Sequence, residues 1–491
     1  MKKAISQIAK ILAPLVLVFS LAATSYAAVP GITGPSFNLT AQQAYLNQPD
    51  GEAVYSWGYG CNGTAPSFAP TMAGQNCPTM QVPGPTLIVH ENDVVTINLL
   101  NGLPAAAGNT SILFPGFTVT ATGGVAGLLT QEAAPAGTVT YTFTASAPGT
   151  HAYYSGTQGD LQIEMGLYGA IVVLPAVVPA NCTSGYHAAN LAAEAHWKET
   201  DFRLSQAAYD HPGSCYDREY LFQWAEMDTR IHRQAQAQVA ARANCTAGSA
   251  GCSLEVQTEP YHPAYFLING RSMPDLMDPN FAGEYPHQPY NGNPHMHPGE
   301  NVLMRVVGQG HWQHPFHFHG NHARVLARDA NMLVSHTDAT KLAGPLLFTI
   351  PTVSGQTVDA IFTWTGQGLN WDVYGSQPHT CNGLAGPSPG FDAATHEYCG
   401  DHGKPMPVTP PDPSIVVNGQ WYAGTPFLGL QTVGNQTPEA PGTLNQNPQG
   451  GYAFMWHSHN EREITTNDVF PGGMMMMLLI DPFTATIDET Q

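Results

Sequence analysis

Two short segments concentrate imidazoles. His311-Trp-Gln-His314-Pro-Phe-His317-Phe-His319-Gly320 places four of the chain's 21 histidines within nine residues. His457-Ser458-His459 follows the apolar run Tyr452 to Trp456. On a strand, residues i and i+2 point to the same side. His317 and His319 therefore share one face of one strand, and His457 and His459 share one face of another. If the two strands are neighbours, four neutral imidazoles converge on one point, a donor set suited to copper or zinc. A single histidine in a strand is ordinarily a hydrogen-bonded packing residue, but four at this spacing beside aromatic runs are hard to explain as packing.

Other candidates carry less chemistry. His295-Met296-His297 offers a third pair, which reads as exposed loop histidines. His379, His396 and His402 lie near Cys381 and Cys399, where a disulfide is the expected state rather than a zinc site. Glu461, Glu463 and Asp468 follow the second imidazole pair closely enough to orient it from an outer shell, although solvated loop charge is the simpler expectation. Met474 to Met477 is a run of thioethers able to hold Cu(I), but alternate methionines in a closing strand read as core filler.

The elements that must position these residues are strands. Thr86 to His90 and Val94 to Asn98 flank a turn, and Thr138 to Thr144 alternates polar and apolar residues at the period of a half-buried strand. Ala170 to Leu174 closes this first unit. Pro298 to Val307 and Gly473 to Ile480 echo its opening and closing in a second unit. Ala188 to Ala207 reads as a helical connector, and Gln234 to Ala243 as a short helix inside the second unit. Residues 376–450, rich in Pro, Gly, Asn and Gln, read as a surface insertion.

Composition agrees with a turn-rich β protein. Only 11% of the 491 residues are charged, against about 25% in an average domain, while Gly (50) and Pro (41) are abundant. The 36 acidic and 16 basic residues give a net charge of −20, which repels phosphate and excludes a nucleic-acid partner. Lys2, Lys3, the apolar stretch Ile11 to Ala23 and Ser25-Tyr26-Ala27 form the pattern of a secretory signal cleaved near Ala27. No later apolar run is long enough to span a bilayer, so a periplasmic or extracellular product is expected. The eight cysteines suit an oxidising compartment, and short loops favour the pairs Cys61–Cys77, Cys182–Cys215, Cys245–Cys252 and Cys381–Cys399.

The motifs resemble a known family. His314-Pro-Phe-His317-Phe-His319-Gly320 is similar to the His-Pro-x-His-x-His-Gly signature of the laccase-like multicopper oxidases. Phe454-Met-Trp-His457-Ser458-His459, followed by Gly472-Gly-Met-Met, resembles that family's closing copper motif. Val82 to Val89, Ala147 to Thr150 and Met165 to Val172 are similar to its opening domain. The resemblance implies an all-β fold of two cupredoxin-like Greek-key β-sandwich domains, with a long loop insertion in the second. It is expected to divide the chain into a signal peptide (1–27), a first domain (28–178), a connector with a helix (179–216), a second domain (217–482) and a tail (483–491).

The departures from the family pattern are specific. The opening domain of the family carries two His-x-His pairs for a three-copper centre, and here Leu113 and Pro115, then Tyr154 and Gly156, stand in their places. In the closing motif Ser458 replaces the cysteine whose thiolate holds blue copper, and the second blue-copper histidine falls near Glu463. The resemblance thus implies metal ligands at His317, His319, His457 and His459, with His314 as the surviving member of the blue-copper triad. Copper in a single site is expected, with zinc as the alternative ion. A four-copper blue laccase is not. The expected activity is a copper-dependent oxidoreductase acting on metal ions or small phenols, or relaying electrons to a redox protein. A non-catalytic copper carrier and a structural cell-surface scaffold are the competing expectations.

Overall fold

A computed structural model describes residues 29–63, 67–72, 74–183, 199, 201–373, 381, 390–392, 395–404, 419–422, 450–482 and 485–487. The expected signal segment, most of the Ala188 to Ala207 connector, His379 and most of the 376–450 insertion lie outside the described residues.

Four large sheets form two β-sandwiches. In the first, the strands Leu87–His90, Gly149–Tyr154 and Tyr168–Leu174 lie in one sheet, and Ser36–Asn47, Ala53–Cys61, Val94–Asn101 and Thr138–Thr144 in the other. The alternation read in the last of these is realised: Val139, Tyr141 and Phe143 are buried in the core, and the threonines between them face outward. In the second sandwich, Arg218–Met227, Asn301–Gly308, Ala323–Arg328 and Thr357–Thr363 form one sheet. His314–Phe318, Thr349–Thr352, Gly451–Ser458 and Met475–Ile480 form the other.

The helix expected over 234–243 runs from Thr229 to Ala241 and packs on the first sandwich rather than inside the second. Its Ile231 and Ala235, four residues apart, enter the first core, and Asp228 caps its N-terminus by accepting from the Arg230 N–H at 2.9 Å. The sandwiches are joined by a shared apolar cluster of Met80, Val82, Ala225, Met227 and Leu267. A buried polar tie reinforces it, with Thr150 Oγ1 donating to Asp359 Oδ1 at 2.6 Å. All four expected disulfides are present. Among the described residues no helix is long and apolar enough to cross a membrane.

Candidate metal centre

The centre is built on two antiparallel neighbours. In the strand His314–Phe318, residues His314, Phe316 and Phe318 point into the core and His317 points out. In Gly451–Ser458, Trp456 and Ser458 are fully buried and His457 lies on the other face. The register pairs His317 with His457 and Phe318 with Trp456, so the outward imidazoles of both strands meet. Gly320, at φ +104°, turns the chain directly after His319. A side chain there would strain the backbone and press on the Phe454 ring at 3.0 Å.

His317, His319 and His457 each offer a ring nitrogen within 4.8 Å of the others. His459 stands exposed at the rim, its ring centre 4.7 Å from His317 and 5.6 Å from His457. His457 Nε2 and His319 Nε2 are 3.3 Å apart. Two nitrogens each about 2.0 Å from one ion at a tetrahedral angle are separated by about the same distance. The His457 Nδ1–H donates to the Ser458 carbonyl at 2.7 Å, so in the neutral ring Nε2 is a bare lone pair aimed at His319. Thr349 Oγ1 lies 2.8 Å from His317 Nδ1 and holds the orientation of that ring. Burial is the main cause holding the cluster imidazoles neutral, reinforced by their neighbours' positive forms. His317 is pushed down to about 4, and His319 and His457 also fall below the usual histidine range. Neutral, converging and with a rim histidine to spare, these residues fit a copper or zinc ion.

His314 is not part of this group. Its odd spacing from His317 turns it to the opposite, buried face. Its Nε2–H donates to Glu226 Oε2 at 2.8 Å, and its Nδ1 lies 2.9 Å from Glu463 Oε2, a charge contact too bent to be a directed hydrogen bond. Desolvation opposes charging this imidazole, but the two carboxylates outweigh it and raise its pKa to about 9. Glu226 is held below the usual carboxylate range by His314 and the N–H groups of His311 and Trp312, against its own burial. Tyr261 and Glu164 extend the network, the Tyr261 hydroxyl standing 3.0 Å from Glu226 and 2.6 Å from Glu164.

Glu463 corrects the expectation of a solvated loop charge. It is fully buried, accepts from Ser458 Oγ at 2.5 Å and from Asn460 Nδ2 at 2.7 Å, and fills the space beside His314. Glu461 and Asp468 are exposed as expected. The place where the resemblance implies a blue copper thus holds a hydroxyl, a carboxylate and an imidazolium, with no thiolate, so this donor set does not fit that ion. Ser458→Cys should therefore bind copper without an intense thiolate-to-copper absorption band. Optical titration checks this, and a strong band would show that Glu463 does not close the position.

The His295–His297 pair and the methionine run resolve as structure. His297 is buried and bound to Glu199 at 2.8 Å, and His295 pairs with Asp481 at 2.7 Å, so neither is the exposed loop histidine expected. Met474 and Met476 lie in the second core. Pro115 and Tyr154 of the first sandwich line a cleft of about 310 Å³ together with Gly116, His151 and, from the second sandwich, Ser354 and Gly355. Burial raises the Tyr154 phenol above its usual range, which favours the protonated hydroxyl. Thr349, Glu226 and Tyr261 were not singled out in the sequence. Their signal is positional: each acts through a strand neighbour or a distant loop, which no local spacing reveals.

Residues 74–177 match the family model described as multicopper oxidase. A multicopper oxidase, MCE, of Talaromyces pinophilus is 37% identical over 98 residues, which span 19% of this chain and 15% of that relative's length. The crystal structure of a blue copper oxidase from Nitrosomonas europaea aligns with a TM-score of 0.46 and 15% identity, covering 90% of this chain and 85% of that one. A copper nitrite reductase from the same organism aligns at a TM-score of 0.39 and 18% identity, covering 68% and 85% of the two chains.

Proposed function

We propose that this chain, whose residues 74–177 match the multicopper oxidase family model, is an exported copper-binding oxidoreductase whose metal is held by His317, His319, His457 and His459. The observation that carries this reading is the convergence of three ring nitrogens within 4.8 Å, with the fourth imidazole at the rim. When bound, copper supplies one-electron chemistry. The chain's own residues do the rest. The Ser458 carbonyl fixes the His457 ring so that its bare nitrogen faces the site, and Thr349 holds the orientation of the His317 ring. Trp456 donates from Nε1 to the His319 carbonyl at 3.2 Å and anchors the second ligand of the His317 strand. His459 leaves one side open to solvent, where a small reductant can approach.

With the blue-copper position closed, and Leu113, Pro115, Tyr154 and Gly156 standing where the family's paired histidines would be, four-electron reduction of oxygen has no store of electrons. One-electron oxidation of small phenols or of ferrous, manganous or cuprous ions, with an external one-electron acceptor such as a redox protein taking each electron on, is the version these residues support, and the acidic surface concentrates such cations. Steady-state oxidation of a phenol, a ferrous salt and a manganous salt by the copper-loaded protein, with a soluble one-electron acceptor supplied, tests the reading. Turnover of any one supports it. Absence of turnover with all three, at full copper occupancy, would replace it with a copper carrier.

A further inference from the structure

The cleft of about 310 Å³ between the two sandwiches contains none of the metal-centre residues, and it reaches the lower end of the size range of small-molecule sites. Its wall is largely apolar, with Pro115 and Ala152 from the first sandwich and Gly355 from the second. Two glycines keep the slot open. A side chain at Gly355 would come within 3.2 Å of the Tyr154 hydroxyl oxygen, and one at Gly116 within 3.3 Å of the His151 ring. Both glycines also hold a positive φ that other residues rarely adopt. Around this wall stand polar groups with unused capacity among the described residues. The Tyr154 hydroxyl and the Gln356 side-chain amide have no protein partner, and Asp329, which is in no ion pair, uses only Oδ1, accepting from the Thr357 N–H at 2.9 Å. The cleft supplies no counter-charge to that carboxylate. Residues 11–197, which include the whole first sandwich, contain no Lys or Arg. Burial is the main cause holding His151 below the usual histidine range, against the Ala147 carbonyl and the Asp359 and Asp329 carboxylates.

We propose that this cleft binds a small primary alkylammonium ion, the ammonium held by Asp329, Tyr154 and Gln356 and the alkyl body lying against Pro115, Ala152 and Gly355. An ammonium carries three N–H donors and no acceptor, and the carboxylate, the phenol oxygen and the amide oxygen can each accept one of them. The Tyr154 ring adds a face that attracts a cation. Other ligand classes fit less well. A hard metal ion needs more oxygen donors than one carboxylate supplies. An anion meets Asp329 and no cation, and a neutral alcohol leaves the carboxylate without a counter-charge. The site is independent of the oxidoreductase reading, because it uses no residue of the imidazole cluster.

Saturation-transfer NMR with n-butylammonium, titrated into the metal-free protein, tests the site. Saturable binding is expected in the wild type, and neither 1-butanol nor butyrate should compete. Asp329→Asn should weaken binding about tenfold. Asparagine suits the φ of +49° at this position and keeps an oxygen for the Thr357 N–H, so the turn survives the change. Tyr154→Leu, which removes both the phenol oxygen and the ring, should weaken binding by a similar factor, with thermal unfolding on the same sample confirming the fold. Asp338→Asn removes the same charge from an exposed carboxylate outside the cleft and should leave binding unchanged. Equal affinity in the wild type and Asp329→Asn overturns the site, as does the absence of saturable binding in the wild type. Equal losses in Asp329→Asn and Asp338→Asn overturn it too, because the attraction would then belong to the acidic surface as a whole. Competition by 1-butanol would show that charge is not what the cleft recognises.

Discussion

The double variant His457→Ala, His459→Ala should lose stoichiometric copper binding while retaining its fold. Two donors leave at once, one of them from the trio of nitrogens that lie within 4.8 Å of each other. Losing even an outer-shell partner costs up to about 100-fold in metal affinity, so losing two ligands should cost more than that. The fold survives because both imidazoles project from the outer face of the sheet, while Phe316, Phe318, Phe454 and Trp456 fill the core beneath. The loss of the His457 hydrogen bond should cost about 1 kcal/mol. Equilibrium dialysis against copper, with circular dichroism and thermal unfolding on the same samples, gives both answers. Retained copper would remove these residues from the site.

His314→Ala should do the reverse, sparing copper and damaging the fold. The wild-type residue is a buried cation between Glu226 and Glu463, and its removal leaves two buried carboxylates without the counter-charge they share. Breaking a buried pair in this way costs about 3–5 kcal/mol. The pH dependence has a definite sign. The folded-state pKa of His314 is raised to about 9, from about 6.5 in an unfolded chain, so its stabilisation is complete below about 6.5 and disappears as pH rises through 9. Denaturant unfolding should therefore show wild-type stability falling across that window, with a shallower slope in the variant. Adding Glu463→Gln to His314→Ala should recover part of the loss by removing one uncompensated charge. A variant as stable as the wild type would show that His314 is not the charge that holds this network.

The imidazole centre was largely legible in the sequence because its information is local. The i, i+2 spacing on two strands states which side chains share a face, and only the pairing of the strands had to be supplied by the fold. The same parity rule separates His314 from His317, and the family resemblance, which also assigns the two to different sites, gave no reason to apply it. Glu463 was misread because charge in a loop is normally solvated, and its burial depends on His314 and Ser458 arriving from two other places in the chain. The helix Thr229–Ala241 was found in kind but not in location. Its apolar stripe of Ile231 and Ala235 shows that it packs, while the sequence does not say against which sandwich. His297 was misassigned for a related reason, because its partner Glu199 lies 98 residues away.

Metal analysis combined with electron paramagnetic resonance of the copper-loaded protein tests the central claim most directly. One copper per chain is expected, with a Cu(II) spectrum showing coupling to imidazole nitrogens and no intense thiolate band, and that coupling should vanish in the His457→Ala, His459→Ala variant. Substoichiometric copper, or a bound ion whose spectrum shows only oxygen donors, would contradict a centre built on His317, His319, His457 and His459.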